Sequence, residues 1–133
     1  MSHLVLDEHL SREEVLEPLR SWRSIQKIED LTPNETLKDD RILQSSRRQQ
    51  QPTFVTLDGG FFLRKHRDPR YRLLYFVIPR QQQAHLPGLL RRLFRLPAFK
   101  TKAARMGKVV RISNEQIEFW RVGEEKKQIL RWQ

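Results

Sequence analysis

The sequence contains no cysteine, so disulfide bonds and thiolate metal sites are excluded. Histidine is scarce, and His3, His66 and His85 lack the spacing of metal ligands, which predicts that they lie on the surface. No apolar run approaches the roughly 18 residues of a membrane-spanning helix, and the first residues lack the basic and long apolar regions of a secretory signal. These absences favour a cytoplasmic protein without a membrane segment. The length of 133 residues is enough for one core, so we expect a single domain over residues 1–133.

Acidic residues are almost missing from the middle of the chain. Residues 59–111 contain 14 lysines and arginines and one acidic residue, whereas residues 1–58 contain 8 basic and 11 acidic residues. The net charge of +10 therefore originates in the middle segment. A concentrated positive charge attracts polyanions such as nucleic acid. The alternative is a solvated surface that only confers solubility.

Two clusters of basic residues are the candidate contacts for a phosphate backbone. They consist of Arg64, Lys65, Arg67 and Arg70, ahead of an apolar run, and of Arg91, Arg92 and Arg95, on the outer side of a predicted helix. Tyr71 could stack on a base or belong to the start of the next strand, and we favour the strand. The alternative for the second cluster is a solvated helix face.

Short apolar runs alternate with segments of helical periodicity. We predict strands at residues 4–6, 24–28, 53–57, 73–78, 109–112, 117–120 and 129–132. Helices are predicted at 12–22, with Ser11 and Glu14 as a capping box, and at 86–94; another begins at Thr32 or restarts near Asp39. This order predicts an α/β fold with a mainly parallel central sheet, helices on both faces and a short C-terminal β extension.

Aspartates come directly after two of the predicted strands. Asp7 follows the first strand and Asp58 the third, while Asp39 and Asp40 lie near the start of the second helix. Ligands of parallel sheets bind outside the carboxyl ends of the strands, so these carboxylates are expected in one crevice. Clustered carboxylates repel each other, and Mg²⁺ or Mn²⁺ would relieve the repulsion and activate water for phosphodiester hydrolysis. Each aspartate alone could instead form a turn or cap a helix.

Two glycines, Gly59 and Gly60, follow the third predicted strand. Their bare backbone N–H groups could approach a phosphate. They could also form a tight turn that requires a positive φ. We favour the turn.

Three segments of the chain resemble a small family of PIN-like nuclease domains, often suspected of being the toxins of toxin–antitoxin pairs. The segments are LVLDEHL (4–10), DDRIL (39–43) and FVTLDGGF (54–61). They are similar in order and spacing to the LxxDExL opening, the DExIL helix start and the VTxDxDF strand end of that family. The later apolar strand ending in proline, the Leu-rich helix and the closing strands extend the likeness over nearly the whole chain.

The resemblance implies a fold, an activity and a set of site residues. The fold would be a three-layer α/β/α sandwich, and the activity a Mg²⁺- or Mn²⁺-dependent endoribonuclease acting on RNA. Asp7, Asp39 and Asp58 match the acidic metal-binding and catalytic positions, with Asp40 and Glu8 as further acids beside them. The resemblance also implies an antitoxin protein as partner and dimerisation, for which the helix at 86–94 is a candidate.

The chain departs from the family pattern at two positions. Gly60 stands where the family commonly has a further aspartate, and His9 stands where asparagine is usual. Loss of a carboxylate weakens a second metal site and leaves open a nucleic-acid-binding module without catalysis. A third class is an interaction protein whose basic surface docks an acidic protein partner.

Overall fold

The computed structural model describes residues 3–31, 52–63, 66–67, 71–101 and 107–132. Within these ranges, seven strands form one mixed sheet in the order β2-β1-β3-β4-β5-β6-β7. The strands are β1 (His3–Leu6), β2 (Ser24–Lys27), β3 (Thr53–Thr56), β4 (Arg72–Phe76), β5 (Lys108–Ile112), β6 (Gln116–Arg121) and β7 (Gln128–Arg131). The first five run parallel, whereas β6 is antiparallel to β5, and β7 is antiparallel to β6.

Short helical segments follow several of the strands. They are a π-helical turn at Arg12–Leu16, α1 (Glu17–Arg20), α2 (Ile28–Leu31), a 3₁₀ turn at Gly59–Phe61, a 3₁₀ segment at Arg80–His85 and α3 (Leu86–Leu93). The Ser11 side chain accepts a hydrogen bond from the Glu14 N–H at 3.1 Å, as the capping box predicted. The Ser11 N–H does not follow that pattern, because it donates to Oε1 of Gln83 at 2.6 Å. This bond ties the segment after β1 to the 3₁₀ segment after β4.

Apolar side chains cover both faces of the sheet. On one face, Leu4 and Leu6 of β1 belong to a large cluster with side chains of α1 and α3. On the other, Val5 belongs to a smaller cluster with Ile28 of α2 and Phe61. Successive residues of a strand point to opposite faces, so burial of both faces explains why the strands are continuous apolar runs.

The structure confirms the predicted α/β class. The sheet is mixed, with five parallel strands and antiparallel pairings at β6 and β7. All the predicted strands are present with small shifts at their ends, and the helix predicted at 86–94 is α3. The first helix ends at Arg20 rather than at Trp22. The helix predicted from Thr32 or Asp39 lies outside the described residues. In the described part of the chain, no helix is long and apolar enough to cross a membrane.

The order of the parallel strands creates a crevice at one position. From β1 the chain moves outward to β2, then returns to the other side of β1 for β3, β4 and β5. The connection that leaves β1 therefore runs toward β2, and the connection that leaves β3 runs in the opposite direction, toward β4. Ligands of such sheets bind at this point, outside the carboxyl ends of the strands.

Candidate metal and phosphodiester site

A cavity of about 300 Å³ lies at the carboxyl ends of β1 and β3, and we call it the site cavity. Its lining residues are Asp7, His9, Leu57, Asp58, Ile78 and Arg80. Parallel strands end at the same edge of a sheet, so β1 and β3 bring together two carboxylates that are 51 residues apart in the sequence. The guanidinium-bearing Arg80 comes from the segment that follows β4. The cavity thus combines two acids and one arginine at the position where the topology predicts a ligand.

Asp7 is held rigidly at the end of β1. Its backbone N–H donates to the Val55 carbonyl at 2.9 Å, which continues the pairing of β1 with β3. One carboxylate oxygen accepts the Glu8 N–H at 2.8 Å, and the other accepts the Thr56 hydroxyl at 2.7 Å. With only 3% of its surface exposed, the side chain has little freedom to rotate away from this position.

The environment of Asp7 disfavours its charged form. Burial raises the pKa of the Asp7 carboxyl above its usual value, while the hydrogen bonds from Thr56 and Glu8 act in the opposite direction. A carboxylate kept in such a place costs folding free energy unless a cation offsets its charge. A metal ion at the site would therefore offset the free-energy cost of the buried negative charge.

Asp58 is exposed and caps the 3₁₀ turn that follows β3. Its Oδ1 accepts the Gly60 N–H at 2.8 Å, and its own N–H donates to the Thr56 hydroxyl oxygen at 3.0 Å. Since the same hydroxyl donates to Asp7, Thr56 links the two carboxylate-bearing residues. Sequence reasoning did not single out Thr56. The signal available was a hydroxyl in the last position of a strand, two residues before an acid.

Gly59 and Gly60 lie in close contact with neighbouring side chains and do not have a positive φ. Among the described residues, the glycines with positive φ are Gly107 and Gly123, so the predicted left-handed turn is wrong. A Cβ at Gly60 would lie 3.1 Å from Oδ1 of Asp58, and one at Gly59 would lie 3.1 Å from the Tyr75 hydroxyl oxygen. The Gly60 N–H is already bonded to Asp58.

The other predicted acids are placed differently or lie outside the described residues. Glu8 is exposed, and its carboxylate is 3.6 Å from the His9 ring. Asp39 and Asp40 lie outside the described ranges. Within those ranges, no group of three or more histidine, aspartate or glutamate side chains is arranged to hold a metal ion.

The carboxylates that are described still suit Mg²⁺ or Mn²⁺. Mg²⁺ takes oxygen ligands, commonly binds through one or two carboxylates and keeps several waters. Each carboxylate oxygen of Asp7 and Asp58 has two lone pairs, so the hydrogen bonds described above leave room for a further ligand bond. The donor set is therefore compatible with a magnesium-type ion.

The first basic cluster is mostly outside the described residues. Arg64, Lys65 and Arg70 fall there. Arg67 is described, and its guanidinium donates to the carbonyl oxygens of Arg121 and Glu124, near the turn between β6 and β7. This contact gives Arg67 a structural role that the sequence did not predict.

The second basic cluster is divided between structural and accessible residues. Arg91 donates to the Pro18 carbonyl at 2.5 Å and so joins α3 to α1. The Arg92 guanidinium lies 4.5 Å from the centre of the Trp132 ring. Arg92 and Arg95 are exposed, as predicted for the outer side of the helix.

Two residues near the first basic cluster are buried in the smaller core. Tyr71 is buried and directly precedes β4, and its hydroxyl donates to the His66 carbonyl, so it packs with the strand as favoured. His66 is also buried, with Nδ1 bonded to the Phe61 carbonyl at 2.9 Å, and the prediction that it lies on the surface is wrong. His85 is exposed as predicted, and His3 is half-buried.

Arg80 and His9 line the site cavity but were not among the predicted site residues. Arg80 follows the proline that ends the apolar run of β4, so its position just beyond a central parallel strand was the available signal. His9 follows Asp7 by two residues.

Comparison with protein-family models, curated proteins and solved structures found no match.

Proposed function

We propose that this chain is a metal-dependent, PIN-like endoribonuclease with a three-layer α/β/α arrangement. The observation that carries the proposal is the site cavity. Asp7, Asp58 and Arg80 all line it, at the crevice between β1 and β3. We assign Asp7 and Asp58 as ligands of Mg²⁺ or Mn²⁺, with Asp39 or Asp40 as a further ligand. The resemblance of the segments around these acids to the PIN-like family supports this assignment.

Three residues of the cavity, Asp7, Asp58 and Arg80, have a physical task in phosphodiester hydrolysis. Asp7 and Asp58 would hold a divalent ion, which when bound would supply Lewis-acid stabilisation and activate water. Asp7 keeps its orientation because Thr56 and the Glu8 N–H fix both oxygens. Arg80 offers a planar guanidinium that can bind two phosphate oxygens and balance charge that develops during hydrolysis.

The charge distribution agrees with a polyanionic substrate. Residues 59–111 carry 14 basic residues and one acidic residue, and Arg80, Arg92 and Arg95 in this segment are exposed. Long-range attraction would concentrate RNA at a site whose own acids would otherwise repel it. By resemblance, we propose a toxin role with an antitoxin protein as partner, and dimerisation. The leucine-rich face of α3 is packed in the core of the same chain, where Leu86, Leu90 and Leu93 are buried, so another surface would form the dimer contact.

The substitution Asp58→Asn tests the proposal with little risk to folding. Asparagine caps a helical turn about as well as aspartate, so the bond to Gly60 is retained while the charge is removed. We expect purified protein to cleave single-stranded RNA with Mn²⁺ and not with EDTA, and Asp58→Asn to lower the rate at least about tenfold.

The matched control is Glu17→Gln, which removes an exposed acid outside the site cavity, 3.3 Å from Arg20 in a surface ion pair. Such pairs contribute little, so RNA cleavage should be unchanged. Cleavage that survives both EDTA and Asp58→Asn would refute the metal-nuclease proposal.

A second candidate function is RNA binding without catalysis. The observation that favours it is Gly60, because this chain has no acid at a position where the family commonly has one. RNA binding with a steep salt dependence and no cleavage in Mn²⁺ would support the binding module. Absence of salt dependence would instead favour docking of an acidic protein.

A further inference from the structure

A second cavity, of about 440 Å³, adjoins the site cavity along the same edge of the sheet, and we call it the side cavity. Ile78 lines both cavities, and the residues on either side of it, Val77 and Pro79, line the side cavity. Its remaining walls come from the 3₁₀ segment Arg80–His85, from α3 and from the turn between β5 and β6. A ligand that reached from Asp58 past Ile78 would therefore enter the side cavity next.

The side cavity is lined by both apolar and polar residues. Val77, Ile78 and Leu89 supply the aliphatic part, and Leu89 also packs against the large core cluster. Gln82 and Asn114 supply amide groups, each of which can both donate and accept hydrogen bonds. This combination suits a flat heteroaromatic group with an apolar face and a hydrogen-bonding edge.

The positive charge at the side cavity belongs to an arginine that packs against an aromatic ring. Arg92 lines it, and the Arg92 guanidinium lies 4.5 Å from the centre of the Trp132 ring. Trp132 is itself held, because its Nε1–H donates to the Ser113 carbonyl at 2.7 Å. With Arg80 in the site cavity, Arg92 gives the two cavities an arginine each, which suits a chain of phosphates running past both.

We propose that the side cavity holds an unpaired nucleobase of single-stranded RNA, one nucleotide away from the phosphodiester at the site cavity. This inference rests on the proposed function, because it assigns the neighbouring part of the same substrate. The volume lies within the range of about 300–1,000 Å³ typical of small-ligand pockets. A base in a duplex is stacked and paired and cannot enter, so the substrate class is single-stranded.

Gly88 of α3 allows the side cavity to be filled without harm to the fold. It lines the cavity, and a Cβ built on it meets no atom within 4 Å. Glycine within a helix is less favourable than other residues, so Gly88→Leu should fold at least as well while its side chain occupies the cavity. Gly88→Ala is the matched control, because it gives the helix the same benefit and leaves most of the space empty.

The experiment measures binding of the full chain to a short labelled single-stranded RNA in EDTA, by fluorescence anisotropy. We expect tighter binding to this RNA than to an abasic oligomer of equal length, and weaker binding to a duplex of the same sequence. Gly88→Leu should lose affinity for the RNA by roughly tenfold, which corresponds to about 1.4 kcal/mol of binding free energy. Gly88→Ala should bind as the unsubstituted chain does, and thermal melts should show both variants folded.

The proposal is overturned if Gly88→Leu and Gly88→Ala bind the RNA equally well, or if the abasic oligomer binds as tightly as the RNA. Binding in EDTA does not depend on a metal, so the result is separate from the cleavage assay. If the protein does not cleave RNA but still binds the RNA more tightly than the abasic oligomer, the side cavity remains a nucleobase site. If cleavage is lost in Asp58→Asn but unchanged in Gly88→Leu, the nucleobase assignment of the side cavity is rejected and the proposed function is not.

Discussion

Replacement of the buried Asp7 by asparagine should separate its cost to folding from its value to metal binding. Asparagine has nearly the same shape, and its carbonyl oxygen can still accept the Glu8 N–H while its amide faces the Thr56 hydroxyl oxygen, which can accept. Because burial raises the pKa of Asp7, the ionised carboxylate is less favourable in the folded chain than in the unfolded chain. We therefore expect Asp7→Asn to be as stable as the original chain or more stable at neutral pH in EDTA.

The sign of the pH dependence follows from the same shift. Between the usual pKa of an aspartate and the raised pKa of Asp7, the folded chain binds more protons than the unfolded chain, so the free energy of unfolding falls as the pH rises through this window. Above the window the contribution of Asp7 is constant. The fall caused by Asp7 should be missing in Asp7→Asn.

Metal linkage gives the expected magnitude for the original chain. A ligand that binds only the folded state at 100 times its dissociation constant adds about 2.7 kcal/mol of stability. For a chain of 133 residues this corresponds to a rise in Tm of roughly 10 °C. Thermal melts in Mn²⁺ and in EDTA should show this rise for the original chain and none for Asp7→Asn. Equal stabilisation of both proteins by Mn²⁺, or an Asp7→Asn variant that is clearly less stable in EDTA, would refute the reasoning.

Two further substitutions probe the support of the site and a distant buried charge. Thr56→Val removes the hydroxyl that joins Asp7 to the Asp58 backbone. We expect Mn²⁺ affinity, measured by calorimetry, to fall about 10- to 100-fold. Unchanged affinity would show that the hydroxyl does not orient the ligands. Burial lowers the pKa of Lys108 to about 8, so the free energy of unfolding should rise between pH 8 and the usual pKa of a lysine. Lys108→Met should flatten this rise in urea melts, by about 3 kcal/mol at most, with less expected where solvent screens the ammonium; a rise that persists in the variant would contradict the shift.

The strands could be predicted because burial on both faces of the sheet requires short runs of apolar residues, which are visible in the sequence. In β4, Leu73 contacts one core and Leu74 the other, so burial on both faces produces an unbroken apolar run that is visible without the fold. The same holds for Asp7 and Asp58, since an acid directly after such a run marks the end of a strand. Parallel pairing then places both acids at one edge of the sheet.

The contacts that sequence reasoning missed are made between segments far apart in the chain. Arg67 looked like a phosphate contact because it lies in a basic run, but its partner carbonyls are 54 and 57 residues away. The burial of His66 is a local exception, because its partners Phe61 and Tyr71 are each five residues away, yet no residue spacing reveals this packing. Arg80 entered the site because β4 lies next to β3, a neighbour relation that is known only from the sheet order.

The contact between Gly60 and Asp58 restricts how the site could change by mutation. A residue with a side chain at position 60 would place its Cβ 3.1 Å from Oδ1 of Asp58, the oxygen that caps the turn. An acid introduced there would therefore push against the carboxylate that it was meant to assist. The two positions are coupled, because Gly60→Asp requires the Asp58 carboxylate to shift by a few tenths of an ångström and so moves the proposed ligand while it adds a second acid.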